Sequence, residues 1–217
     1  MTERPILFSG PMVRAILAGR KTVTRRVVTS RHPIALIGSS DERGDPSAWG
    51  YFFDGPDHHG YMVLGRGHDD CHDHGKVSIP CPYGAAGDRL WVRETFCLRD
   101  PEHHPERGYW YAATDDVDEP RWTPSIHMPR RASRITLEVV GVRVERLQEI
   151  DEADARAEGA DPADAFQVFQ AGTGRRSDME RTHRGAFACL WDGINGDRAP
   201  WASNPWVWRV EFRQVQP

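Results

Sequence analysis

The sequence predicts an α+β fold, a small β-barrel or curled sheet with peripheral helices. Segments with the two-residue alternation of β-strands outnumber segments with helical spacing. The helical segments cluster at two places, near the N-terminus and in the last third of the 217 residues. A chain of this length can bury a sizeable core. We therefore expect one domain over residues 1–217, with an insertion at about 38–76 and a helical elaboration at about 160–192.

The first predicted elements are a strand, a helix and a second strand. Residues 5–9 (PILFS) have the apolar composition of a short buried strand. Gly10-Pro11 then starts a helix, since proline in the first turn lacks only an N–H that has no helical partner there. Gly19 ends the helix, as glycine commonly does. The β-branched segment 21–28 is extended, which places Lys21 at a helix-to-strand junction.

Three strands are predicted in the middle of the chain. A turn at 82–88 leads into the first of them at 89–96, and the second follows at 109–113. The third, at 135–147, alternates apolar and polar residues over most of its length, which is typical of a half-buried strand. Residues 38–76 are rich in Gly, Asp and His and contain only fragments of a strand pattern, so we interpret them as the insertion.

Helices dominate the next part of the chain. An acidic helix is predicted at about 151–158, with Gly159 at its end. Further helices are expected at 162–170 and near 181–191. The alternating segment 206–212 (WVWRVEF) closes the chain as a strand.

Charge is unevenly distributed, although the formal net charge is only −4. Residues 1–31 contain seven cations and one acid, Glu3, and residues 121–134 contain four arginines and no acid. Local basic patches of this kind can bind phosphate even on an acidic protein. No apolar run approaches the ~20 residues of a membrane span, and four cysteines do not form a dense disulfide framework, so we expect neither a membrane span nor a signal peptide. We expect a cytoplasmic protein with no membrane partner.

Lys21 is one of only two lysines, against 26 arginines. Arginine cannot lose its proton in a protein, whereas lysine can. A lysine in a chain with so many arginines is therefore a candidate for a role that requires an amine able to release its proton. Arg20, Arg25 and Arg26 lie within five residues of it. Nearby like charges lower a lysine pKa from its usual value of about 10.4. The alternative is a surface helix end followed by a basic strand.

Lys21, Thr24 and one acid form the strongest candidate catalytic group. A hydroxyl nucleophile needs a base to accept its proton, and a lysine crowded by cations can serve. An acid then orients the lysine or protonates a leaving group. The sequence offers two acids, Glu94 at the end of a strand and Glu158 at the end of the acidic helix. Spacing alone does not choose between them.

A basic loop, residues 125–134 (SIHMPRRASR), is the second candidate region. Arginine makes bidentate contacts to phosphate and histidine supplies a hydrogen bond, so we expect His127, Arg130 and Arg134 to line a substrate pocket. A solvated connection is the alternative. Trp122, beside the loop, is the tryptophan that we expect to stack on a base.

A His-rich segment raises the question of a metal. Cys71, His72, His74 and Cys81 could form a tetrahedral zinc set of two thiolates and two imidazoles. Their spacing matches no common zinc finger, so a solvated His-rich loop is the favoured interpretation. A structural zinc stays the alternative, and we expect no other cofactor. The sequence contains no glycine-rich phosphate-binding fingerprint.

Three segments resemble the ASCH-domain family. They are residues 16–24 (ILAGRKTVT), 87–94 (GDRLWVRE) and 206–212 (WVWRVEF). Shorter matches occur at 124–129, 135–137, 144–147 and 158–159. The resemblance covers most of the chain except about 38–76 and 161–180, and it is to a phage- and prophage-borne branch of the family. It implies a PUA-like β-barrel fold.

The resemblance also implies a catalytic site. Residues 17–24 are similar to a segment of a small bacterial N(4)-acetylcytidine amidohydrolase of the superfamily, in which a threonine is the proposed nucleophile and a lysine and a glutamate complete the site. By residue-wise match these are Thr24, Lys21 and Glu158, which leaves Glu94 among the expected substrate-binding residues. The favoured activity is therefore amide hydrolysis of an N-acylated nucleoside.

Arg25 and Arg26 would then stabilise an oxyanion or hold a phosphate. Two other functions stay open, because other members of the family are proposed RNA binders and at least one is a ribonuclease. The first is a non-catalytic RNA-binding or modified-base-binding protein, in which the same cations contact phosphate. The second is a metal-independent ribonuclease that uses Lys21, His127 and Arg130. The expected partners are a modified nucleoside or RNA.

Overall fold

The described part of the chain has a mixed α+β fold, as the sequence predicts. The computed structural model describes residues 1–28, 81–98, 108–118, 121–162 and 182–215, and the backbone of three short strands at 50–51, 61–65 and 77–80. Its helices are α1 (Gly10–Leu17), α2 (Glu152–Ala157) and α3 (His183–Asn195). Its strands are β1 (Glu3–Leu7), β2 (Val23–Val27), β3 (Gly50–Tyr51), β4 (Tyr61–Gly65), β5 (Val77–Pro80), β6 (Arg89–Arg93), β7 (Phe96–Leu98), β8 (Tyr109–Tyr111), β9 (Thr136–Arg146) and β10 (Trp206–Val215).

A five-stranded sheet is the framework of the fold. Its strand order is β1-β6-β9-β10-β2, with β1 parallel to β6 and the other neighbours antiparallel. The edge strands β1 and β2 do not pair with each other, so the described strands form an open sheet and not a closed barrel. A side-chain hydrogen bond links the two edges, since Arg26 of β2 donates to the Leu7 carbonyl of β1 over 2.6 Å. The α+β class is therefore confirmed, and the PUA-like barrel stays a prediction.

Strand β2 presents its side chains to two different environments. It pairs with β10, with Thr24 opposite Val210 and Arg26 opposite Trp208. Because side chains alternate across a strand, Thr24 and Arg26 lie on one face with these two core residues, and Arg25 lies on the other face. The alternation of the strand therefore separates the two neighbouring arginines.

Two apolar clusters pack against the sheet. The larger joins α1 to the strands, and it includes Val13, Ile16 and Trp208. Full burial of a side chain such as Val13 or Ile16 stabilises the fold by about 1.5 to 3 kcal/mol. The second cluster joins α2 and α3 to β10, and it includes Phe187 and Val207. Since Val207 and Trp208 are consecutive in β10, the two clusters meet opposite faces of that strand.

The predicted elements in the described part are confirmed, with small shifts at their ends and one larger change. The predicted strand at 89–96 is two strands, because the chain leaves the main sheet after Arg93. Phe96 then exchanges backbone hydrogen bonds with Thr123, and β7 pairs with β8 in a separate two-stranded sheet. The predicted helix at 162–170 and most of the insertion at 38–76 lie outside the described residues.

Candidate functional site

A concave pocket lies where the edge strand β2 meets residues of β1, α1 and α3. Its volume of about 680 Å³ is within the range of small-molecule sites. The polar part of its wall contains the predicted catalytic residues Lys21, Thr24 and Glu158, together with Arg25 and Arg26. Apolar side chains complete the wall, among them Leu7, Phe8, Met12, Phe187, Leu190 and Ile194. The structure thus brings the three predicted catalytic residues into one pocket.

Backbone hydrogen bonds hold Lys21 at the predicted helix-to-strand junction. The chain leaves α1 at Gly19, whose φ of 69° is the left-handed conformation that glycine adopts most readily. The Lys21 amide then donates to the Ala15 carbonyl over 3.1 Å. The next amide, of Thr22, donates to the Ala157 carbonyl at the end of α2 over 2.8 Å. These bonds fix Lys21 between two helix ends.

The Lys21 ammonium is buried and fully hydrogen-bonded. Its Nζ donates to Glu158 Oε2 over 2.7 Å and to the backbone carbonyls of Glu158 and Val23, each over 2.8 Å. An ammonium has three N–H donors, so all of them are satisfied. The Phe8 ring centroid lies 5.6 Å from Nζ, within cation–π range. Removing the Glu158 carboxylate would leave a buried charge unpaired.

Burial lowers the pKa of Lys21 below its ordinary value, because the desolvated ammonium loses its hydration. Glu158 opposes this change through its charge and its hydrogen bond, whereas Arg26 and Arg25 add to it. The net direction of the pKa is downward. A lysine with a lowered pKa releases its proton more readily, which is the property that a general base requires.

Glu158 reaches Lys21 because the chain turns sharply after α2. Gly159 has a φ of 77°, in the left-handed region. A Cβ at this position would lie 2.9 Å from the Ala15 Cβ and 3.2 Å from the Lys21 Cβ. A larger residue would therefore push the turn away from Lys21. The glycine that ends the predicted acidic helix also brings the acid and the lysine together.

Arg25 binds three carboxylates on the other face of β2, and its side chain has no exposed surface. Its Nε donates to Glu145 over 2.7 Å, its Nη2 to Asp154 over 2.5 Å and its Nη1 to Glu158 over 3.3 Å. The last bond reaches Glu158 Oε1, the oxygen that Lys21 does not use. The structure thus engages Arg25 with carboxylates and leaves it no surface for the predicted oxyanion or phosphate contact.

Asp154 links Arg25 to a wider ion network. Its carboxylate also binds Arg209 over 2.8 Å and Arg143 over 3.5 Å. Partial burial raises the pKa of this carboxyl, but the hydrogen bonds from Arg209 and Arg25 outweigh that effect and hold the pKa of Asp154 at about 2. Alternating charges therefore extend from Lys21 through Arg25 to Arg209.

Thr24 and Arg26 share the inner face of β2, and both line the pocket. Thr24 is 3% exposed, and its hydroxyl makes no side-chain hydrogen bond to another described residue. The Arg26 guanidinium lies 5.2 Å from the Phe8 ring centroid and donates to the Leu7 carbonyl. It pairs with no carboxylate in the described part of the chain. A hydroxyl and a cation are therefore available to a ligand.

Glu94, the second candidate acid, lies in a separate cluster. It is 2% exposed and accepts hydrogen bonds from Nε and Nη2 of Arg134, each over 2.9 Å. The Arg134 guanidinium lies 3.9 Å from the Tyr111 ring centroid. Neither Glu94 nor Arg134 lines the Lys21 pocket, although both were expected to bind substrate. Geometry thus distinguishes the two acids, since Glu158 contacts Lys21 and Glu94 binds Arg134 instead.

Trp122, the predicted stacking residue, lies in a different cavity. This second cavity has a volume of about 470 Å³, and its wall also contains Trp110 and Arg121. Trp122 is not part of the wall of the Lys21 pocket. The structure therefore does not bring it to the predicted catalytic residues.

The basic loop contributes little to the pocket. Its His127 is exposed, and its Arg130 binds Glu3 over 3.0 Å. Neither residue lines the Lys21 pocket, whereas Ser125 of the same loop does. The loop therefore contributes Ser125 to the pocket wall, and it does not contribute the predicted His127 and Arg130.

The predicted zinc alternative falls largely outside the described residues, where Cys71, His72 and His74 are found. Cys81 is described, and it is buried and free of any disulfide. Burial raises the pKa of its thiol to about 11. Within the described ranges no three His, Cys, Asp or Glu side chains gather into a group that could hold a metal ion. The zinc site stays a prediction.

Sequence reasoning missed the contribution of α3 to the pocket. The residues that line it from this helix include Phe187, Leu190, Trp191 and Ile194. Their spacing of three, four and seven residues is that of one helix face, so the pattern could have identified them as a group. It could not have shown which strand that face meets, because the contact joins distant parts of the chain.

Comparisons with known proteins found no match to this chain among protein-family models, curated proteins or solved structures. The ASCH family and its activity therefore stay predictions from the sequence. In the described ranges, every helix is too short or too polar to span a membrane. The case for a function depends on the pocket and on the residues that meet there.

Proposed function

We propose that this protein is an ASCH-type hydrolase of PUA-like fold that removes the acyl group from an N-acylated nucleoside such as N(4)-acetylcytidine. The observation that carries the proposal is the buried Lys21–Glu158 ion pair in a pocket whose wall also contains Thr24. The volume of about 680 Å³ suits a small molecule, whereas a strand of RNA requires a longer basic groove with aromatic platforms.

Lys21 becomes a base by passing a proton to Glu158. Lys21 Nζ and Glu158 Oε2 lie 2.7 Å apart. Transfer of one proton between them converts the ion pair into a neutral amine and a neutral carboxylic acid, without changing the net charge of the site. Burial favours this neutral pair, because neither member then loses the hydration of an ion. The lowered pKa of Lys21 has the same cause, since burial is its largest contribution.

Thr24 is the nucleophile. After the proton transfer, the Nζ lone pair of Lys21 faces Glu158, so the amine turns about its Cε–Nζ bond to direct the lone pair at Thr24. The neutral Nζ then accepts the Oγ1 proton while Oγ1 bonds to the acyl carbon. The tetrahedral intermediate collapses as the bond between the acyl carbon and the exocyclic nitrogen breaks, and that nitrogen takes the proton from Lys21. Water, deprotonated by Lys21, then attacks the acyl-threonine ester. The carboxylic acid departs, Thr24 recovers its proton from Lys21, and the cycle requires no other reactant.

Arg25 has a positioning role in this mechanism. It holds Glu158 Oε1 while Lys21 holds Oε2, so the carboxylate cannot rotate away from the amine. Its remaining donors are fixed by Glu145 and Asp154. The predicted contact of Arg25 with the oxyanion is therefore absent from the proposal, and of these two neighbouring arginines only Arg26 is available to substrate.

A non-catalytic modified-base-binding protein is the second candidate. One observation favours it, because Lys21 Nζ donates to three acceptors and Thr24 is not among them. The pocket would then bind its ligand without turnover. The ribonuclease hypothesis has less support, since His127 is exposed and Arg130 binds Glu3.

Mass spectrometry of N(4)-acetylcytidine incubated with the protein tests the proposal. We expect cytidine from the wild type and none from Lys21→Ala or Thr24→Val. Thr22→Val is the matched control, because Thr22 is exposed and does not line the pocket, and it should retain turnover. Saturable binding without turnover would favour the second candidate. If Thr24→Val hydrolyses the substrate at the wild-type rate, Thr24 is not the nucleophile.

A further inference from the structure

The charges on the pocket wall are unequal. The described residues that line it include four cations and one acid, namely Lys21, Arg25, Arg26, Arg198 and Glu158, although the Arg25 side chain itself has no exposed surface. Both oxygens of Glu158 are occupied, one by Lys21 and the other by Arg25. The pocket therefore has no free carboxylate for its other two cations, Arg26 and Arg198.

Arg26 and Arg198 are the cations without an acidic partner. Arg26 donates from Nη2 to the Leu7 carbonyl, and its Nε–H is buried without an acceptor. Arg198 follows α3 and is exposed, and no hydrogen bond or ion pair engages its side chain within the described residues. The Nε–H groups of Arg4 and Arg89, which do not line the pocket, are also buried without an acceptor, so this donor alone does not indicate a ligand. The evidence for an anion site is that no described carboxylate neutralises the two cations on the wall.

The neutral polar groups of the wall are also able to donate. They are the hydroxyls of Ser9, Thr24, Tyr83, Thr95 and Ser125 and the amide of Asn195, which also donates to the Trp191 carbonyl. Burial raises the pKa of Tyr83, although Arg26 opposes the change, so its phenol keeps its proton. A wall of cations and hydroxyl donors suits an anionic ligand, whereas a cationic ligand would find no free carboxylate.

We propose that Arg26 and Arg198 form an anion subsite of the pocket, and that the preferred substrate is a phosphorylated N-acylated nucleoside, which binds more tightly than the neutral nucleoside. The identity of the base and acyl group rests on the proposed function, whereas the subsite rests on the charges of the wall. Arginine binds phosphate through two parallel N–H donors, which supplies both affinity and orientation. A nucleoside monophosphate is small enough for a pocket of about 680 Å³.

Calorimetric titration with cytidine and with cytidine 5′-monophosphate tests the subsite without turnover. These are the deacylated products of the neutral and of the phosphorylated substrate. Cytidine 5′-monophosphate should bind the wild type at least about tenfold more tightly than cytidine, since a charge-assisted hydrogen bond contributes that much. Arg198→Gln and Arg26→Gln should each remove most of this preference. The matched control is Arg156→Gln, an exposed arginine that does not line the pocket, and it should keep the preference. Circular dichroism verifies that Arg26→Gln is folded.

Three outcomes would overturn the proposal. Equal affinities for cytidine and its monophosphate would show that no phosphate subsite exists. A preference that survives both substitutions would place the phosphate elsewhere. Tighter binding of a cytidine trinucleotide than of the monophosphate would assign the phosphate to an RNA chain instead of a free nucleotide.

Inorganic phosphate separates failure of the subsite from failure of the proposed function. If neither cytidine compound binds, the proposed base is wrong, and the melting temperature is then measured with increasing phosphate at constant ionic strength. A rise in the wild type and Arg156→Gln that is absent in Arg198→Gln would support the subsite alone. An equal rise in all three proteins would overturn the subsite as well.

Discussion

Two buried ion pairs in this protein differ in their cations and in what surrounds them. Glu94 is 2% exposed and Glu158 is 4% exposed, so the two carboxylates are equally withdrawn from solvent. Glu94 is bound by both donors of the Arg134 fork, and that guanidinium stacks on an aromatic ring. Glu158 is bound by the amine of Lys21 at one oxygen and by Arg25 at the other, beside a pocket that also contains Thr24.

The comparison shows that burial of an acid does not by itself identify a catalytic site. An arginine fork matches the geometry of a carboxylate and keeps its proton, so the Glu94–Arg134 pair can only hold structure. The Lys21–Glu158 pair can exchange a proton, because both members have accessible neutral forms. The cation and the adjoining hydroxyl therefore distinguish the two pairs, and the following predictions test that difference.

The largest expected effect comes from exchanging the cations. Lys21→Arg keeps the charge but removes the base, so hydrolysis of N(4)-acetylcytidine should fall by about 10² to 10⁴-fold. Arg134→Lys is the reciprocal control, and its turnover should stay within about threefold of the wild type because it lies outside the pocket. Rates are compared per folded molecule. If Lys21→Arg hydrolyses the substrate at the wild-type rate, Lys21 is not a base in the reaction.

The two acids should also differ in their effect on stability. Glu158→Gln leaves Lys21 and Arg25 buried with reduced compensation, so the free energy of unfolding should fall by about 3 to 5 kcal/mol. Glu94→Gln leaves Arg134, whose side chain is 27% exposed and can be hydrated, so about 1 to 3 kcal/mol is expected. Urea denaturation measures both. Equal losses of unfolding free energy in the two variants would mean that the two ion pairs contribute equally to stability.

Local features of the fold were predictable from the sequence, and the contacts of the catalytic group were only partly so. Gly19 and Gly159 mark helix ends by their own chemistry, and the alternation of β9 and β10 predicts strands without tertiary information. The choice between Glu94 and Glu158 depends on which chain segments pack together. Spacing along the sequence does not contain that information.

The two neighbouring arginines show which part of the site the sequence does not predict. Arg25 and Arg26 were expected to act together on substrate, but consecutive residues of a strand point to opposite faces. The alternation itself was predictable from an extended segment. Which face would meet the pocket was not, because it depends on the pairing of β2 with β10 and on the position of α3.

An intermediate effect is expected at Gly159, which packs against Ala15 and Lys21 and has no counterpart beside Glu94 among the described glycines. Gly159→Ala introduces left-handed strain and places a Cβ against Ala15 and Lys21, so we expect a loss of about 2 to 4 kcal/mol and reduced turnover. Gly19→Ala is the matched control, because its φ is also left-handed but its Cβ would meet nothing within 4 Å. It should lose about 1 to 2 kcal/mol. Equal losses in chemical denaturation would show that the contact at Gly159 is relaxed without cost.

The smallest expected effect concerns the acid side of the network that holds Glu158. The pKa of Asp154 is about 2, below its ordinary 3.8, so its contribution to the free energy of unfolding is complete above about pH 4 and is lost as the pH falls towards 2. Its side chain is 17% exposed, so solvent screening limits this contribution to about 1 to 2 kcal/mol. Between about pH 4 and pH 2, the wild type should therefore lose more stability than Asp154→Asn in urea denaturation.

The exposed Asp197→Asn is the matched control for this experiment and should follow the wild type. If Asp154→Asn instead follows the wild type, the acid sensitivity lies elsewhere. Arg25 would then depend on Glu145 and Glu158 for its position, since these are its two other carboxylates. In that case neither the Lys21–Glu158 pair nor the Glu94–Arg134 pair would depend on a further carboxylate such as Asp154. The ability to transfer a proton would then be the only difference between the two regions.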